Sequence, residues 1–257
     1  MTDIDITALV EIEAQHQSSN DTALIWESSS RTHIGRVRHT NEDAYLESND
    51  ASLWVVADGM GGFSRGDYAS KAIIDSLSTF KPKEAMSASI IDIQSKLVET
   101  NEKCLNAFRG KRVGSTVAAL FSFGNFCYFL WAGDTRIYRL RNGRLEQMTT
   151  DHSVAQEKLQ RGELSPEEAR DHPSSHQLTR AVGAHTKLKL ELHFDQALDG
   201  DRYLICSDGL YYAMADKDMQ LLLSLPSEKA LDKLFETALD YGGRDNITAI
   251  IIDAFKA

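Results

Sequence analysis

Three times in this sequence an apolar, β-branched or aromatic run ends on a small residue followed by aspartate: LWVVA before Asp58-Gly59, FLWAG before Asp134-Thr135, and YLICS before Asp208-Gly209. Asp43-Ala44 and Asp245-Asn246 stand at the edges of two further predicted strands. Turn chemistry explains any one of these, because Asp and Gly end strands. It explains five together less well. An apolar strand delivers its last residue to a partly buried rim. Carboxylates gathered there raise one another's pKa and destabilise the chain unless cations compensate. The fold is therefore constrained to bring strand ends together with positive charge among them. No His or Cys accompanies the aspartates, so the ligands are all oxygen, which suits Mg²⁺ or Mn²⁺ and argues against zinc. Gly59, without a Cβ, lets its carbonyl approach an ion. Two such ions about 3.5–4 Å apart share a bridging water and lower its pKa toward about 7, the arrangement of a hydrolase.

Arg38 lies five residues before Asp43, in Arg38-His39-Thr40-Asn41-Glu42-Asp43. A lone arginine is most often surface decoration. On the same loop as a carboxylate of this set, its planar bidentate donors fit a phosphate group.

Composition narrows the alternatives. The 257 residues carry 28 Lys and Arg against 38 Asp and Glu, a formal charge of −10 that repels phosphodiester backbones and excludes general nucleic-acid binding. With 42 % hydrophobic residues the chain can build a sizeable core. Its most apolar stretch, 117–131, is interrupted by Ser122, Gly124 and Asn125 and is too short to span a membrane. The acidic N-terminus lacks a signal-peptide pattern, so the expected location is the cytosol. Cys104, Cys127 and Cys206, an odd number with no C-x-x-C spacing, read as core residues, and neither Cys104 nor Cys127 has an Arg at the spacing that a phosphate-cradling thiolate needs.

Residues 1–22 read as a polar, loosely held extension and 23–257 as a single domain, with no repeat or linker. Strands are predicted at 52–57, 115–121, 126–132, 136–140, 145–149, 187–194, 202–206 and 247–252. Helices are predicted at 64–80, with Ser64 and Asp67 placed as a capping box, at about 83–108, and at 227–239 after Pro226. Residues 151–176 are polar, contain Gly162, Pro166 and Pro173, and read as an excursion from the sheet. Strands and helices come in blocks rather than in strict alternation, which favours α+β with antiparallel sheets.

Eight motifs, in order, then carry a resemblance: R-x-x-x-E-D (38–43), ADGMGG (57–62), GST (114–116), AGDTRIYR (132–139), TxDHS (149–153), LTRAVG (178–183), CSDGL (206–210) and GGRDNIT (242–248). The set resembles the bacterial kind of metal-dependent (PPM, type 2C-like) protein Ser/Thr phosphatase over nearly the whole chain. That resemblance implies a four-layer α-β-β-α sandwich of two antiparallel sheets flanked by helices. It also implies that Asp58 bridges two Mn²⁺ or Mg²⁺ ions, that Gly59 binds one through its carbonyl, and that Asp208 and Asp245 complete the other. Asp43 would hold metal-bound waters, Asp134 with Asp208 a weaker third ion, Arg38 the substrate phosphate, and Asn246 would support the ligands. The 151–176 excursion falls where the family has its flap. The expected chemistry is in-line attack of a bridging hydroxide on phosphoserine or phosphothreonine, without a phosphoenzyme. The expected partners are phosphoproteins and a cytosolic Ser/Thr kinase that the enzyme, a monomer, opposes.

One departure matters. Relatives place a histidine after the metal-binding DG or after GMGG, where this chain has Met60 and Phe63, so the leaving-group proton has no assigned donor. A metal-bound water is the first choice and His39 a weaker one; His152 in TxDHS is equally explained as structural. Among rival readings, Asp3-Ile4-Asp5-Ile6-Thr7 spells the D-x-D-x-T nucleophile motif of haloacid-dehalogenase-like phosphatases, but too few residues precede Asp3 for the strand that chemistry needs. Residues 195–200 are better read as a turn than a calcium loop, and the glycines from 59 to 66 do not make a P-loop. A scaffold that has lost catalysis is disfavoured because Asp58, Asp208 and Asp245 are all present.

Overall fold

In a computed structural model of the chain, which describes residues 9–11, 13, 24–61, 66–108, 113–170 and 172–256, strand alternation explains why the apolar runs are unbroken. In β3 (Leu53–Met60), Leu53, Val55 and Ala57 face one hydrophobic cluster while Trp54 and Val56 face another. In β11 (Ile247–Lys256), Ile247, Ala249 and Ile251 likewise face away from Ile250 and Ile252. Successive side chains on a strand point to opposite faces, so a strand apolar throughout is buried on both.

The remaining strands are β1 (Leu24–His33), β2 (Asp43–Ser48), β4 (Gly114–Ser115), β5 (Val117–Phe123), β6 (Phe126–Ala132), β7 (Arg136–Arg141), β8 (Arg144–Gln147), β9 (Glu191–Gln196) and β10 (Asp201–Cys206). One sheet runs β1-β11-β10-β7-β8 and the other β2-β3-β5-β6-β9, with β4 pairing β3; every pairing is antiparallel. Between the sheets lie Trp54, Leu120, Phe129, Ile137, Tyr203 and Ile250. Helices α1 (Gly66–Leu77) and α2 (Met86–Ala107) cover the second sheet through Ile73, Leu77, Ile90, Ile93 and Leu97. The first is covered by α5 (Asp208–Tyr211), α6 (Asp216–Leu223) and α7 (Ser227–Asp240). This is the expected α+β, four-layer α-β-β-α sandwich. Helices α3 (Val154–Gln160) and α4 (Pro166–Arg170) occupy the polar excursion.

The description of residues 1–22 as a loosely held polar extension needs correcting where residues are described. Leu9 is fully buried in the cluster under α1 and α2. The Glu13 carboxylate accepts from the Met86 amide at 2.8 Å and the Ser87 hydroxyl at 2.6 Å, capping an α2 whose own N-cap, Ala85, has no capping side chain. Asp3, Phe63 and Ser64, and with Ser64 the expected capping box, lie outside the described residues. No helix among the described residues is long and apolar enough to cross a membrane.

Candidate active site

The five aspartates arrive at one end of the sandwich by different routes. Asp43 and Asp58 are direct partners across β2 and β3, which places their side chains on the same face of the sheet. The GST motif holds Asp58 in place from behind. The Asp58 amide donates to Thr116 Oγ1 at 3.0 Å, and its carbonyl accepts from the Thr116 amide at 2.8 Å and the Ser115 hydroxyl at 3.0 Å. Asp134 lies where the chain crosses from β6 in one sheet to β7 in the other. Gly133, at φ +119°, makes that crossing possible, since a Cβ there would lie 2.6 Å from Thr116 Cβ. Asp208 opens α5 just past β10, and the preceding Ser207 donates its hydroxyl to Asp43 Oδ2 at 2.8 Å. Asp245 precedes β11 and forms an ion pair with Arg38 at 2.5 Å.

Asn246 ties the Arg38 loop to this strand. Its Oδ1 accepts from the Glu42 amide at 2.8 Å, and its Nδ2 donates to the carbonyls of Ile34 at 2.8 Å and Thr40 at 3.1 Å. Gly59 donates its amide to the Glu42 carbonyl at 3.1 Å, and a Cβ on it would lie 2.3 Å from the Gly66 carbonyl oxygen. Close packing alone therefore requires glycine at this position.

The electrostatics are those of an overcrowded acidic cleft. Asp58 accepts no side-chain hydrogen bond from the described residues. Its carboxyl is raised well above the usual range, by burial first and then by Asp43, Asp208, Asp134 and Asp245. Burial likewise pushes Asp43 up to about 7, against hydrogen bonds from Thr248 and Ser207 that favour the ion. Asp43 Oδ1 is buried with no hydrogen-bond partner among the described residues. Burial and Asp208 raise Asp134, with Arg136 opposing. An oxygen-only donor set that cannot ionise fully, and that keeps an orphaned buried oxygen, fits a hard divalent cation. As the side chains stand, no group of three or more His, Cys, Asp or Glu among the described residues is closed around an ion position. Instead Asp245 pairs with Arg38, and Asp208 lies 3.4 Å from the His176 imidazole.

His176 was missed by the sequence reading. Its ring packs at a tilt of 47° against Tyr212, 4.7 Å between ring centres, and its pKa is raised, chiefly by its hydrogen bond to Asp208. Arg136 was missed as well. It forms a bidentate pair with Asp151 at 2.9 and 2.7 Å and stacks 3.8 Å over Tyr211, whose hydroxyl donates to the Asp134 carbonyl at 3.0 Å. The only signal for either was motif membership or proximity to the polar excursion, which gives no contact partner. His152 has a structural role. It stacks on Trp131, its Nδ1 accepts from the Gly133 amide at 3.1 Å, and its own amide donates to Gly133 at 2.9 Å. His39 is exposed, and Met60 ends β3. All three cysteines are buried, with thiols raised by desolvation, which removes them as nucleophiles. Asp195, at the end of β9, pairs with Arg139 and Arg141, and Arg141 also holds Asp201 beyond the turn at 199–200, so these carboxylates are ion-paired.

A family model described as Protein phosphatase 2C matches residues 31–251. The chain is 34 % identical over 237 residues to the serine/threonine phosphatase Stp of Listeria monocytogenes, covering 87 % of this chain and 94 % of that one. The solved structure of PppA, described as a key regulatory component of the T6SS in Pseudomonas aeruginosa, superposes with a TM-score of 0.84 at 39 % identity, covering 91 % of this chain and all of that one. The catalytic domain of PstP, solved with two manganese ions, superposes with a TM-score of 0.80 at 30 % identity, again over 91 % of this chain and all of that one. Curated PstP is from Mycobacterium tuberculosis, and this chain spans 45 % of its full length. The motif resemblance is borne out: the chain belongs to the protein phosphatase 2C family.

Proposed function

We propose that this chain hydrolyses phosphoserine and phosphothreonine in proteins with the help of two Mn²⁺ or Mg²⁺ ions, and that a weaker third ion binds beside them. The observation that carries the reading is the meeting of Asp43, Asp58, Asp134, Asp208 and Asp245, from four strand ends and a crossover, in one set whose charges oppose one another. Asp58 would bridge the two ions, Gly59 would offer its carbonyl to one, and Asp208 and Asp245 would hold the other. Asp43 would act through water, and Asp134 with Asp208 would hold the third. When bound, such ions neutralise phosphate charge and lower the pKa of a water.

The chain's own residues do the rest. Arg38 binds and orients the phosphate by exchanging the Asp245 carboxylate for substrate oxygens. Asn246 keeps that loop in register with Asp245. Ser207 and Thr248 hold Asp43 Oδ2 and leave Oδ1 free to accept from a water. Among the described residues, no side chain in the site is placed as a covalent nucleophile. Residues 23–257 act in this reading as one catalytic unit, a monomer with 151–176 as its flap. The phosphorylated substrate implies a Ser/Thr kinase working against it in the cytosol.

Mn²⁺-dependent hydrolysis of p-nitrophenyl phosphate and of a phosphothreonine peptide tests the proposal, with EDTA and Asp208→Asn each expected to abolish turnover. Calorimetric Mn²⁺ uptake without turnover of either substrate would leave a binding scaffold and sink the enzymatic reading.

A further inference from the structure

Nine arginines among the described residues hold a carboxylate within 4.0 Å. Arg144, Arg170 and Arg244 do not, in a chain with ten more acidic than basic side chains. Arg144 sits on an exposed hairpin, where a solvated arginine is ordinary. Arg170 and Arg244 are different, because they line one groove of about 590 Å³ together with Arg38, His176, Tyr212 and Tyr241.

Both are presented from braced backbone. Arg170 ends α4 and spends one N–H on the Met214 carbonyl at 3.0 Å, which ties the guanidinium to the groove, and among the described residues it meets no carboxylate. Arg244 follows Gly242 and Gly243, whose amides donate to Leu239 and Ala238, while the Gly243 carbonyl accepts from Arg36 at 2.7 Å. Tyr241, on the same turn, is 70 % exposed. Exposed tyrosine beside unpaired arginine is the composition of a protein-recognition surface rather than of a small-molecule pocket.

On the reading that Arg38 takes the scissile phosphate, the groove continues from that phosphate past two more guanidinium groups. We propose that Arg170 and Arg244 select phosphoprotein segments that carry a second anionic side chain, carboxylate or phosphate, close in sequence to the residue being dephosphorylated. The acidic cleft makes this necessary as well as possible. An acidic substrate approaching a chain of net charge −10 is repelled overall, and local guanidinium donors are what hold it in register.

The test compares kcat/KM in Mn²⁺ for a phosphothreonine peptide with neutral flanks, the same peptide with glutamate at successive flanking positions, and the same with a second phosphoserine. The expected result is a gain of about five- to twentyfold for the best-placed anionic flank, carried by KM and shrinking as salt rises. Arg170→Ala and Arg244→Ala are each expected to bring that ratio toward one, and Arg170→Glu to reverse it in favour of lysine flanks. Matching thermal melts of the variants confirm that these exposed changes leave the fold intact. A gain with either glutamate or phosphoserine supports the inference, and a gain with phosphoserine alone identifies a second phosphate as the ligand. Equal turnover of all wild-type substrates, or a ratio untouched by the variants, overturns it while leaving the phosphatase reading in place. No turnover of any peptide overturns both.

Discussion

At the scale of single residues, Asn246 makes the most exacting test of how the site is held. Its three hydrogen bonds reach Glu42, Ile34 and Thr40, so replacing it with alanine strands one backbone N–H and two carbonyls and frees the loop that carries Arg38. Supporting side chains of this kind are worth about 10–100-fold in activity. Asn246→Ala is therefore expected to lower kcat/KM for p-nitrophenyl phosphate by that much, with kinetics at saturating Mn²⁺ as the measurement. An unchanged KM and kcat would show that the loop is held by other contacts. Gly59→Ala asks a different question. Its Cβ would collide with the Gly66 backbone at 2.3 Å, so the expected outcome is a lowered melting temperature before any effect on metal affinity can be read. The aspartates were legible in the sequence because each stands at the edge of a strand, three of them where an apolar run stops. Their supports Thr116, Ser207 and Thr248 were not, because a Ser or Thr that bonds a neighbouring backbone or carboxylate looks like any other until the strands are paired.

At the scale of elements, the strands richest in apolar residues were found where expected, because burial on both faces leaves an unbroken signal. The half-exposed β2 was marked only by its edge at Asp43-Ala44, and the polar β1, with the run Glu27-Ser28-Ser29-Ser30-Arg31, was not assigned as a strand. Their pairing is decided by long-range partners: Thr32 opposite Thr248 in one sheet, Asp43 opposite Asp58 in the other. The strand expected from Lys187 begins only at Glu191, opposite Trp131 one residue before the end of β6, although Leu188 and Leu190 are buried without ladder partners. The same long-range logic applies to the N-terminal segment, where polar composition concealed two fixed points. Removing an N-cap costs about 0.5–2 kcal/mol. Emptying a buried leucine site costs about 2–5 kcal/mol. Glu13→Ala and Leu9→Ala are therefore expected to lower the melting temperature, Leu9→Ala by more. A thermal scan of both variants checks this; melting curves identical to the parent would mean that residues 9–13 are not anchored to α2.

At the scale of the whole molecule, the sandwich acts as a clamp: two sheets with a shared apolar interior force carboxylates from both into one cleft. Packing that is apolar almost to the strand tips leaves those groups little water, which is why burial is the first cause of the raised pKa at Asp43, Asp58 and Asp134. The consequence for stability has a definite sign. An aspartate whose folded pKa lies above its unfolded value, about 3.9, stabilises the fold when protonated, and that contribution is lost as pH rises through the folded value. For Asp43 the loss runs from about pH 4 through about 7. Asp58 and Asp134 shift in the same direction and add to it. In EDTA, the melting temperature attributable to this cluster should therefore fall as pH is raised across that window. Mn²⁺ binds only the ionised ligands of the folded state, so the stabilisation it gives should grow with pH over the same range. Differential scanning calorimetry with and without Mn²⁺ reads both trends at once. A metal-free protein that becomes more stable through this window, together with an Mn²⁺ increment independent of pH, would mean that the five aspartates do not share one charge-limited cleft.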